Sequence, residues 1–136
     1  MTTFLSARAR LGGGALLGAL VALGPCATLA DPAPAATPVV HISTFLKFEP
    51  REVTIPVGGT VEWRNSSIET HTVTDDPAVA RDSAHAELPA GAQAFDSGPL
   101  KPGQSYGHTF TVPGRYSYFC RPHEMHGMLG DIVVTP

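Results

Sequence analysis

The stretch YFCRPHEMHGML, Tyr118 to Leu129, carries one cysteine, two histidines and two methionines in a single short segment. Cys120, His123, Met125, His126 and Met128 are all ligand types for soft or borderline metals. Two imidazoles and a thiolate with a weak axial thioether make the ligand set of a copper centre built for electron transfer. A structural zinc site uses Cys and His without Met, so the methionines count against zinc. The spacing Cys120-x2-His123 supplies the sulfur and one imidazole, and the second imidazole must come from elsewhere. His71, which opens HTVT after the turn-like NSSIET, is the best placed.

Rigid elements must bring these two segments together. From Val39 onward, β-branched and aromatic runs alternate with Gly and Pro punctuation, and no helical period persists. VVHISTFLKF reads as a strand ended by Glu49-Pro50. EVTIPV has period-2 apolar positions at Val53, Ile55 and Val57, and TVEWRN sets Val61 and Trp63 on one face and Glu62 and Arg64 on the other. HTVT, AFDSG, QSYGHTFTV, RYSYFC and GDIVVT read as further strands. The segment between HTVT and AFDSG, beginning at Asp75-Asp76, reads as a long surface loop with room for a helical turn. Seven or eight short strands with turns every eight to twelve residues predict a single-domain, all-β sandwich over residues 39–136. Cys120 closes one strand, Gly130 opens the next, and the connection carries the ligand candidates.

The N-terminus has a different character. Arg8 and Arg10 precede the apolar run Leu11 to Gly24, and the run ends in ATLA, with Thr28 and Ala30 in the −3 and −1 places of a cleavage site. This is the pattern of a secretory signal peptide over residues 1–30, followed by a Pro/Ala-rich lead-in over residues 31–38. Cys26 raises a lipid-attachment reading, but Pro25 directly before it fits such a site poorly. Export to the periplasm, with no stable membrane insertion after cleavage, is the expectation. Cleavage removes two of nine basic residues and none of twelve acidic ones, which leaves a net charge of −5 with neutral histidines. An acidic surface argues against nucleic acid as a partner. It also leaves Cys120 as the single cysteine, a thiol with no intramolecular disulfide partner in an oxidising compartment. A metal would occupy it.

Several stretches together resemble the small cupredoxins, the plastocyanin, pseudoazurin and amicyanin group: FLKFEPREVTIPVGGTVEWRN, HTVT and FDSGPLKPGQSYGHTFTVPGRYSYFCRPHEMHGMLGDIVV. The resemblance covers Val39 to Pro136 and implies a Greek-key β-sandwich holding one type 1 copper that cycles between Cu(II) and Cu(I). Carried over by position, it implies His71, Cys120, His123 and Met128 as ligands. Met128 stands five residues past His123, the spacing of the longer family loops. The shorter amicyanin-like spacing falls on His126, and Met125 fits neither. Thr72 stands where plastocyanins have an asparagine that braces the copper loop.

The function implied is a monomeric one-electron carrier between redox proteins, such as a c-type cytochrome, a dehydrogenase or a reductase. Apolar loop residues Pro122, Met125 and Leu129 would form its docking patch. The alternative is copper trafficking or resistance, with HEMHGM holding Cu(I) on a flexible loop. An enzyme is not expected, because His41, His85, His108 and His126 form no His-x-His pair for a second copper centre. His41 and His108 are expected on strands and His85 in solvent. Trp63, Phe45, Phe48, Phe110, Tyr116 and Phe119 are expected in the core, and Asp75-Asp76 on a solvated face.

Overall fold

Strand β4, Thr60–Asn65, shows why this sequence builds a sandwich. Val61, Trp63 and Asn65 are buried while Arg64 between them is exposed, so the side-chain alternation of a strand separates core from solvent. In a computed structural model that describes residues 35–136, seven strands form two sheets. The first sheet has the order β2-β1-β4-β5, from β1 (Val39–Ile42), β2 (Phe48–Glu49), β4 and β5 (Ser105–Thr109). The second has the order β3-β7-β6, from β3 (Glu52–Pro56), β7 (Leu129–Thr135) and β6 (Gly114–Phe119). Both sheets are mixed: β1 runs parallel to β4 and β3 parallel to β7, while the other pairs are antiparallel. The signal-peptide and lipid-attachment readings, with the first half of the lead-in (31–34), lie outside the described residues.

The core lies between the sheets around Trp63, whose ring is 5.3 Å from that of Tyr118 and 5.6 Å from that of Phe95. Tyr118 packs edge-on against Phe48 at 4.8 Å. Burying each such aromatic removes a large apolar surface from water, a gain of roughly 1.5–3 kcal/mol per side chain. These rings belong to the same buried cluster as Cys120, two residues beyond Tyr118.

Four expectations change. VVHISTFLKF does not run as one strand: Ser43 N–H donates to Lys47 O (2.9 Å), Leu46 takes φ 57°, and the chain reverses between β1 and β2. Phe45 stands at the tip of that reversal, 79% exposed, rather than in the core. HTVT and AFDSG are not regular strands. They make isolated bridges, His71 to Leu100 and Thr74 to both Asp96 and Phe119. Val57 falls just beyond the end of β3 and is exposed. The long loop does hold its helical turn, a 3-10 turn at Ser83–His85.

Candidate metal centre

His71 is set by β4 and the turn that follows it. Asn65, buried at the end of β4, donates from Nδ2 to Glu69 O (2.7 Å) and Leu100 O (2.9 Å). Its Oδ1 accepts from Ser67 N–H (2.9 Å) and Ser67 Oγ–H (2.7 Å). One amide side chain therefore uses its donor and acceptor capacity to hold the turn leading into His71. His71 then exchanges two backbone hydrogen bonds with Leu100, at 3.0 and 2.7 Å. Its side chain is fully buried.

The other half comes from the β6–β7 connection. Cys120, at the end of β6, donates its N–H to Met128 O (3.1 Å), and its carbonyl accepts from His123 N–H (3.0 Å). Arg121–His126 form a 3-10 helix with Pro122 in its first turn, where a missing N–H does no harm. Gly127, at φ 75°, ends it in a left-handed conformation that glycine adopts freely, and Met128 N–H returns to His123 O at 3.3 Å. The loop closes on itself, so Met128 is brought back to Cys120 and is fully buried in the same core cluster.

These elements bring three side-chain donors together. His71 Nδ1 lies 3.6 Å from Cys120 Sγ, His123 Nδ1 lies 3.5 Å from it, and the two Nδ1 atoms are 3.2 Å apart. Burial, and secondarily the neighbouring His123, push the His71 imidazole below its usual pKa, which keeps it a neutral ligand. Burial pushes the Cys120 thiol up, while Thr72 N–H, 3.4 Å from Sγ, draws it back. A bound cation would deprotonate such a thiol outright. Two imidazole nitrogens and one sulfur aimed at one point are a donor set that suits copper.

The arrangement agrees with sequence comparison, in which the family of copper-binding proteins, plastocyanin/azurin, matches residues 36–135. The chain belongs to this family. It is similar to the plastocyanin of Nostoc punctiforme, 34% identical over 126 residues that span 88% of this chain and 89% of that protein. It is 38% identical to the chloroplastic plastocyanin of Tetradesmus obliquus over 92 residues, 68% of this chain and 61% of that relative's length. Among solved structures, a copper(I) form of an amicyanin variant superposes with a TM-score of 0.57 at 33% identity, covering 73% of this chain and 82% of that one. The cupredoxin sandwich and copper as the metal are thereby established for this chain.

Within this family frame, several side chains read differently from the sequence expectation. Asp75 is not on a solvated face; it is fully buried, with Oδ1 accepting from Phe95 N–H at 2.7 Å. Burial raises its carboxyl to about 6. His85 is not free in solvent, since its Nδ1 lies 3.0 Å from Glu124 Oε1. Thr72, the departure from the plastocyanin asparagine, still braces the loop: its Oγ1 accepts from Arg121 N–H at 2.9 Å. Met125, which fits neither family spacing, is exposed, and so is His126, where the shorter spacing falls. Glu124 was not singled out by the sequence. It carries 1% exposure in a loop whose neighbours face water, and only the fold shows what covers it. Glu69 was missed as well; its carboxylate stands 3.8 Å from the outward nitrogen, Nε2, of His123.

Proposed function

We propose that His71 Nδ1, Cys120 Sγ and His123 Nδ1, with the Met128 thioether as weak axial partner, hold one type 1 copper. In this reading the protein is an exported one-electron carrier. The observation that carries the reading is the convergence of three buried or half-buried donors from two segments about fifty residues apart in sequence. Copper supplies reversible one-electron exchange between Cu(II) and Cu(I). The chain supplies a geometry that changes little with oxidation state. His71 is fixed by Leu100 and the Asn65 network, Cys120 by strand β6 and Thr72, and Met128 by its backbone bond to Cys120.

Electron entry and exit are assigned to the His123 edge, because His123 is the partly exposed ligand of the set. Exposed Pro122 and Met125 flank it. Small apolar patches of this kind suit brief encounters with redox proteins, of which a c-type cytochrome, a dehydrogenase or a reductase are the classes proposed. Periplasmic location is proposed from the N-terminal signal pattern. The fixed, buried donors support this carrier reading over a flexible copper-handling loop.

The test is a visible absorption spectrum of the copper-loaded mature protein before and after ascorbate. An intense thiolate-to-copper band that bleaches on reduction is expected, together with one copper per chain. Cys120→Ser should abolish the band; a band that survives this change overturns the assignment.

A further inference from the structure

Glu124 follows His123 directly, and its side chain is buried although Met125 beside it is 65% exposed. A carboxylate is taken from water only where its oxygens find donors. Oε1 accepts from Arg81 N–H (2.9 Å) and Asp82 N–H (2.9 Å) and lies 3.0 Å from His85 Nδ1. Oε2 shares the Arg81 N–H at 3.0 Å. An ionised carboxylate only accepts, so His85 must carry its proton on Nδ1.

All of these donors come from the segment 81–85, which includes the 3-10 turn Ser83–His85. That turn is itself held by Asp82, whose Oδ1 accepts from Ala84 N–H at 2.9 Å. None of the partners is a copper ligand. The metal loop is thus tied at its start by Thr72, which binds Arg121 N–H, and in its middle by Glu124. Between Cys120 and Met128 the chain has no strand pairing. The loop's own turns and hydrogen bonds of this kind fix where His123 stands.

We propose that Glu124 is a positioning residue for the copper centre. Its side chain pins the middle of the metal loop to segment 81–85 and so holds His123 in place when the electron arrives and when it leaves. The inference rests on the reading of His71, Cys120 and His123 as copper ligands. It makes the long loop after Asp76, which has no regular strand, part of the site's framework.

The clamp acts through geometry rather than charge, and Glu124→Gln separates the two. The glutamine carbonyl oxygen keeps the three donors of Oε1, with the amide nitrogen in the place of Oε2 giving up only the second, shared contact to Arg81 N–H, whereas Glu124→Ala removes the acceptor altogether. Three measurements are needed: amide hydrogen exchange of residues 121–127 in metal-free protein, the rate of Cu(I) loss to a chelator, and the reduction potential. For Glu124→Ala, exchange in 121–127 should rise about tenfold or more. Cu(I) loss should quicken by about 10–100-fold, and the potential should shift. Glu124→Gln should stay near the parent protein in all three, and His85→Ala should fall between.

Unchanged exchange in Glu124→Ala overturns the proposal, as does a rise spread evenly through the strands, which would mark loss of general stability. A Glu124→Gln potential displaced as far as that of Glu124→Ala overturns the geometric account. Should Glu124→Ala fail to fold, His85→Ala carries the test, and no rise in its exchange over 121–127 overturns the clamp. The exchange arm needs no metal. A parent protein that binds copper without a thiolate band would sink the ligand assignment while leaving the clamp to be judged by exchange.

Discussion

The two histidines that face Cys120 are held in different ways. His71 sits inside the sandwich, fully buried, on a segment whose backbone is bonded to Leu100 and whose approach is organised by Asn65. His123 stands at the protein's edge on a 3-10 helix, fixed by the loop's own turns and by Glu124. One histidine is part of the core, and the other is the partly exposed one that the proposed reading offers to a redox partner. An electron carrier needs both: a deep donor that keeps the geometry, and a shallow one through which the electron passes over a short distance. The difference shows that the rigidity of the site has two sources, and that each can be attacked separately.

The largest effect should come from deleting each imidazole in turn. His71→Gly and His123→Gly should both lose the visible band. Added imidazole should restore it in His123→Gly, whose vacated place opens to solvent. It should fail in His71→Gly, whose place is enclosed. Rescue of both, read by titrating imidazole into the copper-loaded variants, would break the contrast.

Next comes Asn65→Leu, which takes its amide from four hydrogen bonds at once. Leu100 O keeps the His71 N–H and Glu69 O keeps the Ser67 hydroxyl, so Ser67 N–H is the group left without its partner, at a cost of about 1–3 kcal/mol. A loss of about 1–3 kcal/mol is expected in urea unfolding of the metal-free protein. A loss that appears only with copper bound would mean that the metal, and not Asn65, organises the His71 side.

How much of this was legible in the sequence follows the same division. β3 and β4 were visible from period-2 alternation, because their side chains face either core or water. The four proposed ligands were visible from their types and spacing together with the family resemblance, and the structure brings three of them within hydrogen-bonding distance of one another. What was hidden are contacts made across long separations by segments without a period. The pairing of Glu124 with His85 joins residues 39 apart, and neither residue type announces a partner. Asp75 beside Asp76 looks like a charged pair in solvent, yet one backbone bridge at Thr74 turns it inward. Phe45 looks apolar enough for the core, but a five-residue reversal carries it out into water.

Asp75 offers the third test, on the core side. Its carboxyl is raised from an ordinary 3.8 to about 6, by burial first of all. Between those values the folded protein holds a proton that the unfolded chain has released. This group's contribution to stability is therefore fully present below about pH 4 and is lost as pH rises through about 6. The loss amounts to about 2–3 kcal/mol at neutral pH. Asp75→Asn should remove that slope, so the stability of the parent and the variant, followed by urea unfolding from pH 4 to 7.5, should diverge as pH rises. Parallel curves would mean that Asp75 finds compensation that the fold does not display.

The smallest effect belongs to Thr72→Val, which tests the seam between the two sides. Thr72 follows His71 directly, yet its hydroxyl accepts from Arg121 N–H in the metal loop, and its own N–H approaches Cys120 Sγ. Valine keeps the shape and the N–H contact and leaves one loop N–H unpaired. A cost of about 1 kcal/mol is expected, together with a small change in potential, because the contact to sulfur through the backbone is retained. If the seam matters only as packing, the unfolding midpoint will move and the potential will not. If Thr72 joins the buried histidine to the exposed one, both will move together. Combining Thr72→Val with Glu124→Ala should then loosen the loop by more than the sum of the two changes, since the variant would have lost the hydrogen-bonded ties at both the start and the middle of the loop.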